Sequence, residues 1–125
     1  MITPEQLAKS GTEHGAQAAL FCWASMNLVQ YPQLRALFAI PNGGLRHPAT
    51  AARLAAEGVK KGVPDIMLAV PRNRYSGLFI ELKVGTNKPT KEQQEWLYFL
   101  SQSGYCTHVC YGWEEARDKI ISYLS

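Results

Sequence analysis

Apolar and polar positions recur with two different periods along this chain, and the switches between those periods mark out eight elements. From Glu13 onward Ala16, Leu20, Trp23, Ala24 and Leu28 fall at helical spacing, the pattern of a helix that buries one stripe. Ser10-Gly11-Thr12 ahead of Glu13 supplies a start for it, and Pro32 limits its end. Leu37-Phe38-Ala39-Ile40 reads as a short strand stopped by the turn Pro41-Asn42-Gly43-Gly44. Pro48 to Glu57 is an alanine-rich helix closed by Gly58. The runs Ile66 to Val70 and Leu78 to Lys83 read as two strands joined by turn-forming residues between Pro71 and Gly77, which makes a hairpin. After the Asn87-Lys88-Pro89 loop, Thr90 caps a helix that runs to about Ser103 and closes at Gly104. Tyr105 to Tyr111 then makes a strand, and Trp113 to Leu124 a last helix with Ala116, Ile120, Ile121 and Leu124 inward. This order predicts an α/β domain with one mixed central sheet flanked by helices.

Length and composition narrow the class without changing it. The chain has 125 residues, 46% of them hydrophobic, with no repetitive or long polar tract, so residues 1–125 are expected to form a single domain with its own core. Its apolar runs are strand-length or broken by charge, and Met1-Ile2-Thr3-Pro4-Glu5 is no basic leader, so a cytoplasmic protein without a membrane segment is expected. Three cysteines without CxxC spacing, Cys22, Cys106 and Cys110, argue for reduced thiols. Cys106, His108 and Cys110 share one strand face, but the spacing lacks a zinc pattern and ordinary strand packing accounts for it.

The candidate chemistry lies in the hairpin. Asp65, in Gly62-Val63-Pro64-Asp65, opens the first strand, and Glu81-Leu82-Lys83 closes the second. Alternation along the strand puts Glu81 and Lys83 on one face and Leu82 on the other, and pairing of the two strands brings Asp65 beside them. Two acids and a lysine are the minimum set for cutting a phosphodiester with a divalent metal. Because an unpaired charge inside a sheet costs several kcal/mol, these groups are expected on an open sheet edge. Nine of the thirteen basic residues fall between positions 46 and 91, around the acids, a distribution that suits a polyanionic substrate. A binding module that uses the same basic surface without cutting is the alternative, and loss of Asp65, Glu81 or Lys83 would favour it. No Gly-x-x-x-x-Gly-Lys-Ser/Thr loop supports nucleotide handling.

Five ordered blocks carry a resemblance: Glu13-His14-x-x-Gln17, Ile40-Pro41-Asn42-Gly43-Gly44, Gly58 through Asp65, Gly77 through Lys83, and Thr90-x-x-Gln93-x-x-Trp96. Together they resemble the virus-type replication-repair nuclease (VRR-NUC) domain, a branch of the PD-(D/E)-x-K nucleases, over nearly the whole chain. The resemblance implies a restriction-endonuclease-like αβββαβ core and a Mg2+- or Mn2+-dependent DNA endonuclease. The stand-alone phage and bacterial forms are often homodimers similar to Holliday junction resolvases, so branched DNA is the implied substrate and a bacterial or phage-infected cell the implied setting. It also assigns roles. Asp65, Glu81, Glu13 and the backbone carbonyl at Leu82 would hold the metal; Lys83 and Gln93 would complete the catalytic set; Gln17, Asn42, Arg46 and Lys61 would meet the substrate.

Several of these residues have a plainer reading. Glu13 suits the positive end of its helix whatever it binds. Gln93 completes a capping box with Thr90, and one rotamer cannot fully serve both that box and a catalytic role. The glycines after Asn42 make an ordinary tight turn. His14 and His47 are read as surface or packed histidines.

Overall fold

The computed structural model describes residues 1–41 and 47–125, so the calls at Asn42 and Arg46 lie outside the described residues. Four strands form one sheet in the order β1 (Leu37–Ala39), β2 (Ile66–Leu68), β3 (Leu78–Lys83), β4 (Cys106–Tyr111). β1 and β3 each pair antiparallel with β2, and β4 runs parallel to β3. The helices are α1 (Pro4–Ala8), α2 (Glu13–Met26), α3 (Pro48–Ala56), α4 (Lys91–Gln102) and α5 (Trp113–Leu124), with a 3-10 turn at Pro32–Ala36. The antiparallel hairpin and the parallel return through α4 give the mixed α/β sheet expected from the sequence.

The two faces of this sheet have different fates. Leu68, Leu78, Ile80, Leu82 and Cys110 point to one face, where Ala16, Ala19, Leu20 and Ala24 of α2 and Trp113, Ala116, Ile120 and Tyr123 of α5 close over them. Alanines on α2 let the helix axis approach the strands, and the Tyr123 hydroxyl donates to the Val70 carbonyl at 2.6 Å, satisfying the ring's polar end. The other face carries Phe79, Glu81 and Lys83, and α4 packs on this side of the sheet against β4. Phe79 meets Tyr105 edge to face at 5.1 Å between ring centres.

Several expectations require correction. β3 is an interior strand, and all six of its residues are buried, so Glu81 and Lys83 do not line an open edge. Leu28 lies beyond the end of α2 and is exposed, because the helix stops at Met26 with Asn27 as its cap and the Asn27 side chain donating to the Trp23 carbonyl. β2 ends at Leu68, two residues short of the apolar run, ahead of the Arg72 to Tyr75 bridge. α1 and the 3-10 turn were not anticipated, although Thr3 and Gln6 form a complete capping box with Pro4 in the first turn.

The segment that delivers Asp65 is docked on α4 through Gly62. A Cβ there would lie 2.8 Å from Glu92 Cβ and 3.0 Å from its carbonyl carbon. Gly62 (φ +90°) and Gly58 (φ +98°) share the left-handed conformation, but the site at 58 is open. Gly58→Ala should therefore cost only backbone strain, about 1–2 kcal/mol, whereas Gly62→Ala should add an overpacking penalty of about 1–3 kcal/mol. Urea midpoints compare the two variants directly. Equal midpoints would mean that the loop yields at no cost.

Candidate active site

Ile66 stands opposite Ile80 in the β2–β3 ladder, so one step further Asp65 stands opposite Glu81, and opposed residues project to the same face. At this point β2 has ended. Asp65 Oδ2 takes over from the missing strand residue by accepting a hydrogen bond from Leu82 N at 2.8 Å. The Leu82 carbonyl faces the same side as its N–H, as the ladder alternation requires. Asp65, Glu81, Lys83 and the Leu82 backbone are thus gathered where the hairpin strands part.

Glu81 is the electrostatic centre of the group. It is only 1% exposed, and its Oε2 lies 3.7 Å from Lys83 Nζ. Its Oε1 is buried with no hydrogen-bond partner among the described residues. Burial first, then the neighbouring Asp65 carboxylate, lift the Glu81 carboxyl from its ordinary 4.5 to about 8, against the smaller opposing pull of Lys83. An orphaned carboxylate oxygen beside a second carboxylate is a demand for a proton or a cation. Oxygen donors of this kind suit hard divalent ions, so the residues fit a magnesium- or manganese-type group.

Glu13 approaches from the core side of the sheet. It is the first residue of α2, whose start is fixed by the Thr12 hydroxyl accepting from Gly15 N. Its charge adds a little to the upward push on Glu81. Asn87, in the loop after β3, donates from Nδ2 to Glu13 Oε2 at 3.3 Å. The sequence reading missed Asn87, since a polar loop residue carries no signal of a partner on α2. Among the described residues no three His, Cys, Asp or Glu side chains are gathered around one point. Asp65 and Glu81 form the inner pair, and Glu13 stands further out.

Gln93, Gln17 and Lys61 each have other surroundings among the described residues. Gln93 sits in a capping box: its Oε1 accepts from Thr90 N at 2.8 Å while Thr90 Oγ1 accepts from Gln93 N at 3.2 Å. Only its NH2 group is left to face a substrate. Gln17, one turn beyond Glu13, lines a cavity of about 210 Å3 with His14, Ala18 and Phe21. Lys61 is held 3.1 Å from Glu92 Oε2 at the start of α4, and that ammonium keeps the Glu92 carboxyl below its usual range.

The thiols of β4 serve packing. Cys106 Sγ lies 3.5 Å from His108 Nε2, and Cys110 is fully buried in the core. Burial raises both thiols, Cys110 to about 12, and so keeps them protonated rather than as metal-ligating thiolates.

A mixed sheet with an acid pair and a lysine at the parting of its central hairpin defines an α/β domain of the nuclease-fold class. The chain belongs to the VRR-NUC family, a nuclease family, whose profile matches residues 5–114. A solved structure of a VRR-NUC domain protein is similar to it with a TM-score of 0.76 and 29% sequence identity, over 90% of this chain and 88% of that one. No curated protein matches the chain. No helix among the described residues is long and apolar enough to cross a membrane.

The raised Glu81 carboxyl has a thermodynamic consequence. Between about pH 4.5 and pH 8 the folded chain keeps a proton that the unfolded chain has released, so unfolding releases a proton and stability falls as pH rises through that window. Thermal melts in chelator-treated buffer should show this decline, and Glu81→Gln should flatten it. A Glu81→Gln profile parallel to the parent's would show that Glu81 keeps an ordinary pKa.

Proposed function

We propose that this chain is a Mg2+- or Mn2+-dependent endonuclease that hydrolyses DNA phosphodiester bonds, works as a homodimer, and prefers branched DNA such as four-way junctions. The observation that carries the reading is the buried, unpartnered Glu81 Oε1 beside Asp65 and Lys83. Asp65, Glu81, the Leu82 carbonyl and Glu13 would hold the cation. When bound, it would supply Lewis-acid polarisation of the scissile phosphate and a more acidic water.

The chain's own residues account for the rest. Lys83 is 6% exposed, so its ammonium acts in a poorly solvated place where a charge opposed to the developing negative phosphate has most effect. Its contact with Glu81, at 3.7 Å, is loose enough to be exchanged for one to water or phosphate. The capping box holds Gln93 rigidly on α4, with its NH2 group available to a phosphate oxygen. Gln17, Lys61, Asn42 and Arg46 would take the flanking backbone.

Dimerisation is supported by symmetry and surface. One catalytic set cuts one strand per encounter, and a junction cut in two symmetric strands calls for two sets related by a two-fold axis. Tyr98 and Phe99 on α4 are 69% and 61% exposed, with the Trp96 ring edge to face against Phe99, an apolar surface of the kind that interfaces use.

Asp65→Asn and Glu81→Gln should each abolish magnesium-dependent cleavage while leaving the fold and DNA binding in place. Cutting at the parental rate by either purified variant would remove the site from consideration. Lys83→Ala should lose about a hundredfold in rate, the scale of one deleted transition-state donor, with manganese affinity by calorimetry little changed.

A digest of four-way junction, flap, nicked, single-stranded and linear duplex DNA should show paired symmetric nicks in the junction. Light scattering should give the mass of a dimer, and junction affinity should fall steeply with salt as counterions are released. A monomer that cuts linear duplex and leaves junctions whole would rule out the branched-DNA reading and keep the metal-dependent nuclease.

A further inference from the structure

The loop between β3 and α4 begins one residue after Lys83 and turns back at once. Asn87 N donates to the Val84 carbonyl at 3.2 Å, closing a tight turn with Gly85 at φ +61° inside it. This turn aims the Asn87 side chain at the beginning of α2, where Nδ2 donates to Glu13 Oε2 at 3.3 Å. The two residues are 74 positions apart in sequence.

We propose that Asn87 is a positioning residue that orients Glu13 toward the Asp65–Glu81 pair. The inference rests on the reading of Glu13 as an outer ligand of the divalent cation. Three features support it. Glu13 lies at the end of its helix, where a carboxylate without a tether samples several rotamers. It is near enough to the inner acids for its charge to bear on Glu81. A carboxamide is also the residue type that fixes a carboxylate oxygen without cancelling its charge. A lysine in the same place would bind Glu13 more strongly and neutralise it, and the chain does have a lysine next door, at Lys88, with Asn87 making the contact.

Manganese binding and rate test this together in the full chain. Asn87→Ala should raise the manganese dissociation constant from calorimetry by roughly three- to tenfold, the scale of one net hydrogen bond to a charged group. The rate at saturating metal should stay within about threefold, since hydrogen bonding to the metal's outer ligand leaves Lys83 untouched. Asn87→Asp, which sets a second carboxylate against Glu13, should weaken metal binding further, and Asn87→Gln should recover part of the loss. In the metal-free protein the Asn87 side-chain amide resonance should move when Glu13 is changed to Gln, a readout that a purely local loop role would not give. Combined with Glu13→Ala, Asn87→Ala should have no added effect on metal affinity.

If the parent binds manganese and Asn87→Ala binds it equally well, the positioning role is wrong and the nuclease reading stands. If Asn87→Ala weakens binding just as much on top of Glu13→Ala, Asn87 acts on something other than Glu13 and the role is again wrong. If the parent itself neither binds manganese nor cuts DNA, the functional reading fails and takes this inference with it.

Discussion

The molecule is organised around an acid and a base buried on the middle strand of its sheet. β3 has all six side chains out of solvent, with Leu78, Ile80 and Leu82 in the core and Glu81 and Lys83 on the reverse side. Burying two opposite charges costs several kcal/mol each, and their attraction offsets that cost only when the geometry is good and every polar atom is satisfied; the upward push on the Glu81 carboxyl reflects that cost. Here the geometry is incomplete. The pair is separated by 3.7 Å and one Glu81 oxygen has no partner among the described residues, so β3 retains a local instability that the apolar packing on its other face has to outweigh. Residues of α2, α5 and the neighbouring strands build that packing cluster, and they secure the position of Glu81 against its own electrostatics. Local rules are commonly broken at functional sites, with the cost met elsewhere in the fold.

The neighbouring segments converge on this strand for related reasons. β2 is short, so Leu82 N would be left without a ladder partner, and the Asp65 carboxylate fills the vacancy. The same bond fixes Asp65 opposite Glu81, which couples completion of the sheet to assembly of the acid pair. The chain ahead of Asp65 is in turn clamped to α4 by the close approach at Gly62 and by the Lys61–Glu92 ion pair. The second clamp is exposed and contributes little to stability; the first is steric and sets the position.

Much of this was legible in the chain. β3 and α5 begin and end where periodicity and the residues around Gly77 and Gly112 place them, because their patterns are long and their boundaries chemically sharp. The Thr90–Gln93 box and the Gly58 stop were readable from local rules. α1 was missed although its capping box is written in Thr3 to Gln6, since a five-residue helix offers no periodicity to detect. The burial of Glu81 and Lys83 could not be read from Leu78-Phe79-Ile80-Glu81-Leu82-Lys83, because alternating apolar and charged residues normally mean one wet face. The interior place of β3, between β2 and β4, is set by tertiary structure and not by this hexapeptide. Asn87 was invisible for the same reason: its partner is fixed by tertiary structure and not by spacing.

Charge balance at the site bears on the number of ions under the proposed reading. Taken at formal charge, with the Glu81 proton displaced by a cation, three carboxylates and one ammonium would leave two negative charges, the charge of a single divalent cation. One ion would neutralise the group and supply the unpartnered Glu81 oxygen with the contact it lacks. A second ion would leave the cluster positive by two, in a region where water is largely excluded and uncompensated charge is costly. DNA removes that obstacle, because the scissile phosphate and its neighbours bring negative charge with them. Lys83 is a further variable, since its ammonium is the cation that a second metal would most directly oppose. On the proposed reading, formal charge would therefore suit one ion, bound with release of the Glu81 proton, and a second only together with the substrate backbone.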